Sequence, residues 1–267
     1  MDYSVLMAVY AKEQPAYLQA AIDSMLRQTV PPAQFVLVCD GALTPQLDAV
    51  IASFGDALDV VRLPENHGPG YARSEGLKRC RAPLVALMDS DDLSVPDRCE
   101  KQLAAFEADS SLAFLSGTVE EFDADPEQPF AKRELPASHK EILLFSKKRN
   151  PVNNPALMFK KDVVEGVGGF DRNRRLFEDY DLAIRVLQSG AKAQNLPDTL
   201  VKMRTPAALL KRRGGKEYAK QMVRFRRKML KDGWISRREY VSSAYPHYIV
   251  CRMPNGMRGR VYKILRK

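Results

Sequence analysis

The sequence predicts an α/β protein whose Rossmann-like, mainly parallel sheet is flanked by helices and followed by a basic helical C-terminal extension. Two observations carry this prediction. Short apolar runs without polar alternation recur along the first half of the chain, which is typical of strands covered on both faces. Helical patterns separate these runs, and this alternation favours right-handed βαβ units. The predicted strands are residues 4–9, 35–39, 60–63, 84–88 and 112–119.

The predicted helices follow from apolar spacing and from proline and glycine residues at their ends. Residues 18–26 place apolar side chains along one helical face, and Pro31 ends that helix. Pro96 is expected near the first turn of a later helix, and Gly190 is expected to cap another at its C-terminus. The remaining predicted helices are residues 70–80, 96–108, 138–147 and 178–189, with loops across the rest of 120–155.

Charge divides the chain into two regions. The net charge is +9, but residues 1–199 contain 22 Lys and Arg against 30 Asp and Glu, a balance of −8. Residues 200–267 contain 20 against 3, a balance of +17. We therefore expect one domain over 1–205 and a basic region over 206–267. Such a concentration of positive charge indicates an anionic partner.

Composition excludes several classes of protein. The chain is 45% hydrophobic and 28% charged, which fits a globular soluble protein and not a disordered one. No signal peptide is predicted, and no apolar run reaches the ~18 residues of a membrane span. The four cysteines and three histidines lack metal-ligand spacing. The sequence therefore favours a cytoplasmic protein with reduced thiols and no zinc.

Acidic residues follow two of the predicted strands. Asp40 comes directly after the second strand, and Asp89, Asp91 and Asp92 come directly after the fourth. Ligands of open α/β sheets bind beyond these carboxyl ends. Clustered carboxylates repel one another unless a cation relieves them, and oxygen-only ligands favour Mg²⁺ or Mn²⁺. A solvated acidic turn that caps the next helix is the alternative.

Two further segments suggest binding or catalysis. Residues 66–73 form a glycine-rich turn at a helix start, which could receive an anion with help from Arg73, or could be a plain turn. Arg73 replaces the third glycine of a dinucleotide fingerprint, which argues against a dehydrogenase. Glu178 and Asp179 open a later helix, where they could cap it or supply a general base. No hydrolase triad, Walker A sequence or zinc-peptidase motif appears.

These motifs, in this order, resemble family 2 glycosyltransferases with the GT-A fold. The resemblance covers about residues 2–205 and rests on segments 4–10, 40–41, 66–76, 89–92, and 168–170 with 178–182. Residues 212–214 with Tyr218, and residues 262–266, are similar to a subgroup that builds bacterial surface polysaccharides, such as the amylovoran and capsule enzymes.

The resemblance implies a role for six residues. Tyr10 and Asp40 would hold the nucleotide base, and Arg73 would contact the nucleotide. Asp91, with Asp89 beside it, would bind Mn²⁺ or Mg²⁺ at the diphosphate of a nucleotide sugar. Asp179 would be the catalytic base, which takes the proton from the acceptor hydroxyl.

The implied activity is inverting, metal-dependent transfer of a sugar from a nucleotide sugar, with UDP expected. The implied acceptor is a polyprenyl-diphosphate-linked sugar or a polysaccharide in O-antigen, capsule or exopolysaccharide synthesis. Two alternatives remain open. A nucleotidyltransferase would need a glycine-rich loop after the first strand, where residues 9–14 contain no glycine. A non-catalytic module could bind nucleic acid through the basic region, although no recognition motif supports this.

The basic region contains an amphipathic pattern over residues 216–231. Its apolar face is expected to enter the headgroup region of an anionic inner membrane surface, which would make the protein peripheral there, with no nucleic-acid partner. A solvated basic surface helix is the alternative. The residues of the predicted apolar face are Tyr218, Met222, Phe225 and Met229.

Overall fold

The structure, a computed structural model, describes residues 1–205 and 215–253 of the chain. One nine-stranded sheet lies in the first of these ranges. Its strands, in chain order, are β1 (Tyr3–Val9), β2 (Gln34–Cys39), β3 (Asp59–Arg62), β4 (Leu84–Asp89), β5 (Leu93–Ser94), β6 (Leu112–Phe122), β7 (Ala131–Arg133), β8 (Met158–Lys160) and β9 (Lys192–Arg204).

Helices connect the strands and complete the C-terminal part. The first three begin with a proline, whose fixed φ suits the first helical turn. The helices are α1 (Pro15–Leu26), α2 (Pro45–Ser53), α3 (Pro69–Arg79), α4 (Arg98–Ala108), α5 (His139–Ser146), α6 (Lys161–Gly166), α7 (Glu178–Gln188), α8 (Lys216–Lys231) and α9 (Arg237–Arg252).

The sheet is mixed. Its strand order is β3-β2-β1-β4-β8-β6-β9-β5, and β7 pairs with β6. The first four strands are parallel, as predicted. Beyond β4, strand β8 runs antiparallel to both of its neighbours, while β6 and β9 are parallel to each other. Because β8 is antiparallel to both β4 and β6, strands β6 and β9 run in the same direction as β1–β4. Six of the nine strands therefore share one direction, and the expected mainly parallel sheet is confirmed.

Both faces of the parallel half are covered, which explains the continuous apolar runs. On one face, alternate residues of β1, β2 and β4 share a core with α1, α2 and α4. On the other face α3 packs so closely that a Cβ at Gly76 would lie 2.3 Å from Leu6 and 2.6 Å from Val38. Since only glycine fits there, this residue sets the distance between α3 and the sheet.

Several elements were not predicted. Strands β5, β7 and β8 have two or three residues each, too few to show a period. Strand β9 mixes exposed and buried positions, contains Pro197 and pairs with β6 through irregular register shifts, so its pattern is weak. Helices α2, α6 and α9 were also missed. The helix predicted over 96–108 begins at Arg98 with Asp97 as its N-cap, so Pro96 lies directly before the cap, near the first turn as expected.

The chain divides into two compact units. The first contains residues 1–145 and 150–204, and the second contains 146–149 and the described residues from 205 onward. In the described part of the second unit, α8 and α9 form an antiparallel hairpin. The amide of Gly215 donates to the carbonyl of Cys251 at 3.0 Å, which joins the start of α8 to the end of α9. Ser236 and Glu239 form a capping box at the start of α9.

The apolar face of α8 is interior. Met222, Phe225 and Met229 are each at most 2% exposed, and only Tyr218 is partly accessible. The prediction that this face enters lipid headgroups is therefore wrong for this structure, because these side chains are already buried within the protein. Among the described residues, no helix is long and apolar enough to cross a membrane.

Candidate active site

Three predicted site residues lie at the carboxyl ends of adjacent parallel strands. Tyr10 directly follows β1, Asp40 directly follows β2, and Asp89 ends β4. The register pairs Val9 with Cys39 and Ala8 with Asp89, so the three positions share one edge of the sheet. This is the edge at which open α/β folds bind ligands.

Asp40 holds the loop that leads into α3. Its buried carboxylate accepts hydrogen bonds from the Asn66 side chain at 2.9 Å, the His67 amide at 2.8 Å and the Gly68 amide at 2.9 Å. A carboxylate offers about four lone-pair sites, so one is left for a ligand. Asp40 therefore orders this loop in addition to any contact it makes with a nucleotide.

Arg73, on α3, joins two carboxylates. Its guanidinium donates from Nη2 to Asp89 and from Nη1 to Glu178, both at 2.7 Å, and the residue is 8% exposed. Burial alone lowers the pKa of Arg73, but the charges of Asp89 and Glu178 raise it above its ordinary value. Arg73, which was predicted to contact the nucleotide, therefore links the end of β4 to the start of α7 through these two hydrogen bonds.

A glycine allows this bridge to form. A Cβ at Gly70 would lie 2.4 Å from the carbonyl oxygen of Asp171 and 2.7 Å from that of Arg174. Only glycine lets the start of α3 approach the 171–174 loop so closely. This close packing holds α3 beside the segment that leads into α7.

The segment 89–92, at the end of β4, contains the densest negative charge of the site, and we call it the acidic loop. Asp89 also accepts a hydrogen bond from the Asn154 side chain at 3.2 Å, and the Ser90 hydroxyl donates to Glu13 at 2.6 Å. Burial, and then the charges of Asp89 and Glu13, raise the pKa of Asp91 to about 7. In the described ranges no Lys or Arg forms an ion pair with Asp91. Its negative charge is therefore poorly compensated by the protein.

Arg204, the last residue of β9, fixes the same loop. Its amide donates to Asp92 at 2.7 Å, and its Nε donates to the carbonyl of Asp91 at 3.1 Å. The guanidinium lies over the ring of Tyr17, 3.7 Å from the centroid, and over that of Phe122 at 4.6 Å. Such stacking holds a planar cation in one orientation.

The acidic loop suits a hard divalent cation. Its available donors are carboxylate oxygens, and Asp91 lies among like charges that a cation would relieve. Among the described residues, no cluster of three His, Cys, Asp or Glu side chains could enclose a metal. Mg²⁺ and Mn²⁺ can bind proteins through one or two carboxylates, so the donor chemistry of the loop is compatible with either ion. Arg73 and Asn154 both donate hydrogen bonds to Asp89, whereas no ion pair involves Asp91 among the described residues.

The start of α7 contains the proposed base. Phe177 precedes it with φ of 63°, and it is the one non-glycine residue with positive φ in the described structure. Asp179 accepts from the Asn150 side chain at 2.7 Å with one oxygen and from the Tyr180 amide at 2.8 Å with the other. Its half-buried carboxylate is therefore held in one orientation. The positive φ of Phe177 is a strained backbone conformation, and such conformations concentrate at functional sites.

Glu178 is the buried neighbour of Asp179. Burial and the charge of Asp179 raise the pKa of Glu178 to about 7, against the opposing effect of Arg73. The start of α7 thus contains two carboxylates with different surroundings. Glu178 faces Arg73, and Asp179 is partly accessible.

Sequence reasoning missed several residues of the site. Asn150 and Asn154 lie in a segment predicted to be loop, and an isolated asparagine gives no local signal of function. Glu13 lies four residues beyond the end of β1, outside the residues that directly follow a strand, and Arg204 lies in a strand that was not predicted. Glu178 was considered together with Asp179 as a helix cap or general base, but its ion pair with Arg73 was not predicted.

Comparison with known proteins identifies the class. The fold is that of GT-A glycosyltransferases: the structure aligns with a Pyrobaculum calidifontis mannosyltransferase in complex with GDP-Man and Mn²⁺ at a TM-score of 0.68. That alignment covers 98% of this chain and 79% of the other at 17% identity. Staphylococcus aureus TarS in complex with UDP-GlcNAc aligns at a TM-score of 0.64 and 19% identity, over 86% and 67% of the two chains.

The chain belongs to glycosyl transferase family 2, whose family model matches residues 4–167. An Escherichia coli UDP-Gal:alpha-D-GlcNAc-diphosphoundecaprenol beta-1,3-galactosyltransferase is 35% identical over 98% of this chain and 95% of its own length. An amylovoran biosynthesis glycosyltransferase of Erwinia amylovora is 34% identical over 84% of each chain.

These relatives confirm the predicted family and its likeness to the amylovoran enzymes. The chain is thus a family 2 glycosyltransferase. The nucleotidyltransferase and binding-module alternatives lose their support. Part of the narrower resemblance, residues 212–214 and 262–266, lies outside the described residues.

Proposed function

We propose that this chain is an inverting, metal-dependent glycosyltransferase that moves a hexose from a UDP-sugar to a lipid-linked sugar diphosphate. The observation that carries the proposal is the Arg73 bridge, with 2.7 Å to Asp89 and 2.7 Å to Glu178. It holds the acidic loop beside the first turn of α7. A donor diphosphate at the acidic loop and an acceptor hydroxyl at Asp179 would thus lie next to each other.

Asp179 is the proposed general base. As the acceptor oxygen forms its bond to the anomeric carbon, Asp179 takes the hydroxyl proton, and the bond from that carbon to the diphosphate oxygen breaks. The electron pair leaves with UDP. Because attack occurs on the face opposite the leaving group, the anomeric configuration inverts. A base of this type contributes about 10²–10⁴-fold to the rate.

The donor would be held by the strand ends and the acidic loop. Tyr10 and Asp40 are proposed to contact the nucleotide base, and Arg73 the nucleotide. Asp91, with Asp89 beside it, would hold Mn²⁺ or Mg²⁺, which when bound would neutralise charge on the leaving diphosphate.

The E. coli relative suggests the substrates. Its name specifies UDP-Gal, a GlcNAc-diphosphoundecaprenol acceptor and a beta-1,3 linkage, and the alignment spans nearly both chains. We therefore place UDP-Gal first among donors and a GlcNAc-diphosphate-lipid first among acceptors. Such an acceptor is anchored in a membrane, so we also propose that the protein associates peripherally with the inner face of the cell membrane.

A donor screen tests this proposal. Purified full-length protein is incubated with Mn²⁺, a GlcNAc-diphosphate carrying a short alkyl chain, and UDP-Gal, UDP-GlcNAc or GDP-Man in parallel. We expect release of UDP and a disaccharide product with a UDP-hexose, and the loss of both with Asp91→Asn. Transfer from GDP-Man alone, or full activity after chelation of the metal, would contradict the donor and metal assignments respectively.

A further inference from the structure

The outer face of α8 carries a row of exposed cations. Their spacing of four, four, three and four residues places all five within an arc of about 80°, at 100° per residue. Each side chain is exposed. We call this row the α8 cationic stripe; it consists of Lys216, Lys220, Arg224, Arg227 and Lys231.

None of these five cations has an acidic partner in the described part of the chain. The acidic residues of the hairpin are engaged elsewhere: Glu217 accepts from Gln221, Asp232 pairs with Lys228, and Glu239 belongs to the capping box. The stripe is therefore a linear array of uncompensated positive charge, about 22 Å long at 1.5 Å per residue.

The other helix of the hairpin adds exposed apolar groups. Val241 is 64% exposed and Ile249 is 43% exposed on α9. Arg238 and Arg252, which are also exposed, lie within the same arc of about 80° and bracket them along the helix. Apolar residues bracketed by long cationic side chains suit a lipid headgroup region, where the charged ends reach phosphate.

We propose that the helical hairpin of α8 and α9 docks on an anionic phospholipid surface, with the α8 cationic stripe as its electrostatic contact. This inference rests on the proposed lipid-linked acceptor and specifies how the enzyme reaches it. Charge complementarity selects the partner, and the exposed Val241 and Ile249 favour a membrane over a nucleic acid. The buried apolar face of α8 takes no part.

Vesicle flotation of the full-length protein tests the proposal. The vesicles contain phosphatidylcholine with or without 30% phosphatidylglycerol. A Lys or Arg near an anionic surface changes partitioning about fivefold, so the triple variant K220Q/R224Q/R227Q should bind about 100-fold more weakly to the anionic vesicles. The matched control R27Q/K78Q/R81Q, with the same change in net charge on the first unit, should bind like the wild type.

Two outcomes would overturn the proposal. One is equal binding by the stripe variant and the control. The other is equal wild-type binding to both kinds of vesicle. A third arm measures binding to duplex DNA at 0.15 M salt, and stripe-dependent binding to DNA without binding to vesicles would also overturn it.

An activity assay separates this inference from the proposed reaction. With the short-chain acceptor free in solution, the stripe variant should keep wild-type turnover, because no membrane is involved. Intact turnover without vesicle binding by the wild type would reject the docking surface alone. Stripe-dependent vesicle binding without turnover of any UDP-hexose would reject the proposed reaction alone.

Discussion

The charges at the edge of the sheet and the charges on α8 are arranged in opposite ways. At the sheet edge, Arg73 is buried between Asp89 and Glu178, and the acidic loop is fixed by Asn154 and Arg204. On α8, the cations of the stripe are exposed and unpaired within the described residues. Paired, buried charges define a fixed geometry, whereas unpaired, exposed ones attract a partner of opposite sign. The first arrangement suits catalysis and the second suits docking.

The largest expected effect is on turnover. Asp179→Asn keeps the size of the side chain but removes the base, so kcat should fall about 10²–10⁴-fold. Affinity for UDP with Mn²⁺, measured by calorimetry, should be unchanged. Asp181→Asn is the control from the same helical turn: Asp181 pairs with Arg185 at 2.8 Å, so this variant should lose stability and keep its kcat. Equal kcat for Asp179→Asn and the wild type would remove Asp179 from the role.

The second effect is on stability, and it is tested by comparing a buried and an exposed ion pair with the same N–O distance. Arg73→Met leaves Asp89 and Glu178 without their cation in a buried site, and the free energy of unfolding should fall by about 3–5 kcal/mol. Arg62 and Asp48 are also 2.7 Å apart, but their side chains are 54% and 42% exposed. Arg62→Met should therefore cost at most about 1 kcal/mol. Urea denaturation measures both values, and similar losses would mean that burial does not distinguish the pairs.

The third effect concerns the position of the acidic loop. Arg204→Met removes the hydrogen bond to the Asp91 carbonyl and the stacking on Tyr17. The resulting fall in kcat/KM should correspond to a loss of about 1.5–3 kcal/mol of transition-state stabilisation, mainly through a higher KM for the donor. Arg204→Lys keeps a cation over the ring and should recover part of the loss. Tyr17→Phe keeps the ring and should be nearly neutral. If both Arg204 variants have wild-type KM, the loop does not depend on this residue.

The smallest effect lies in the hairpin. Ser236→Ala removes the N-cap of α9 and should lower the free energy of unfolding by about 1 kcal/mol. Because Ser236 is far in sequence from every proposed site residue, turnover of the short-chain acceptor should not change. A large loss of turnover would show that the hairpin and the active site are coupled.

The strands and the carboxylates at the edge of the sheet could be predicted from the sequence, but the partners of these carboxylates could not. The strand runs and the carboxylates that follow them were visible, because buried parallel strands produce continuous apolar patterns and ligand sites lie at their ends. The roles of Asn150 and Asn154 were not visible, since they depend on where a long connection returns to the sheet. Arg73 could be chosen for its position, but its two partners lie 16 and 105 residues away.

The hairpin shows a different limit. The amphipathic pattern of α8 was correctly recognised, but a single helix does not indicate whether its apolar face meets lipid or protein. Helix α9, which forms a hairpin with α8, was missed because Pro246 interrupts its pattern. In the structure Met222, Phe225 and Met229 are interior, and the exposed cations remain for an external contact.

The most direct test of the account is the anomeric configuration of the product. A single base at Asp179, facing a donor held at the acidic loop, requires direct displacement and inversion. Nuclear magnetic resonance of the disaccharide formed from UDP-Gal, whose galactose is α-linked, should show a β linkage. An α-linked product would contradict this mechanism, because it would require a different route at the anomeric carbon.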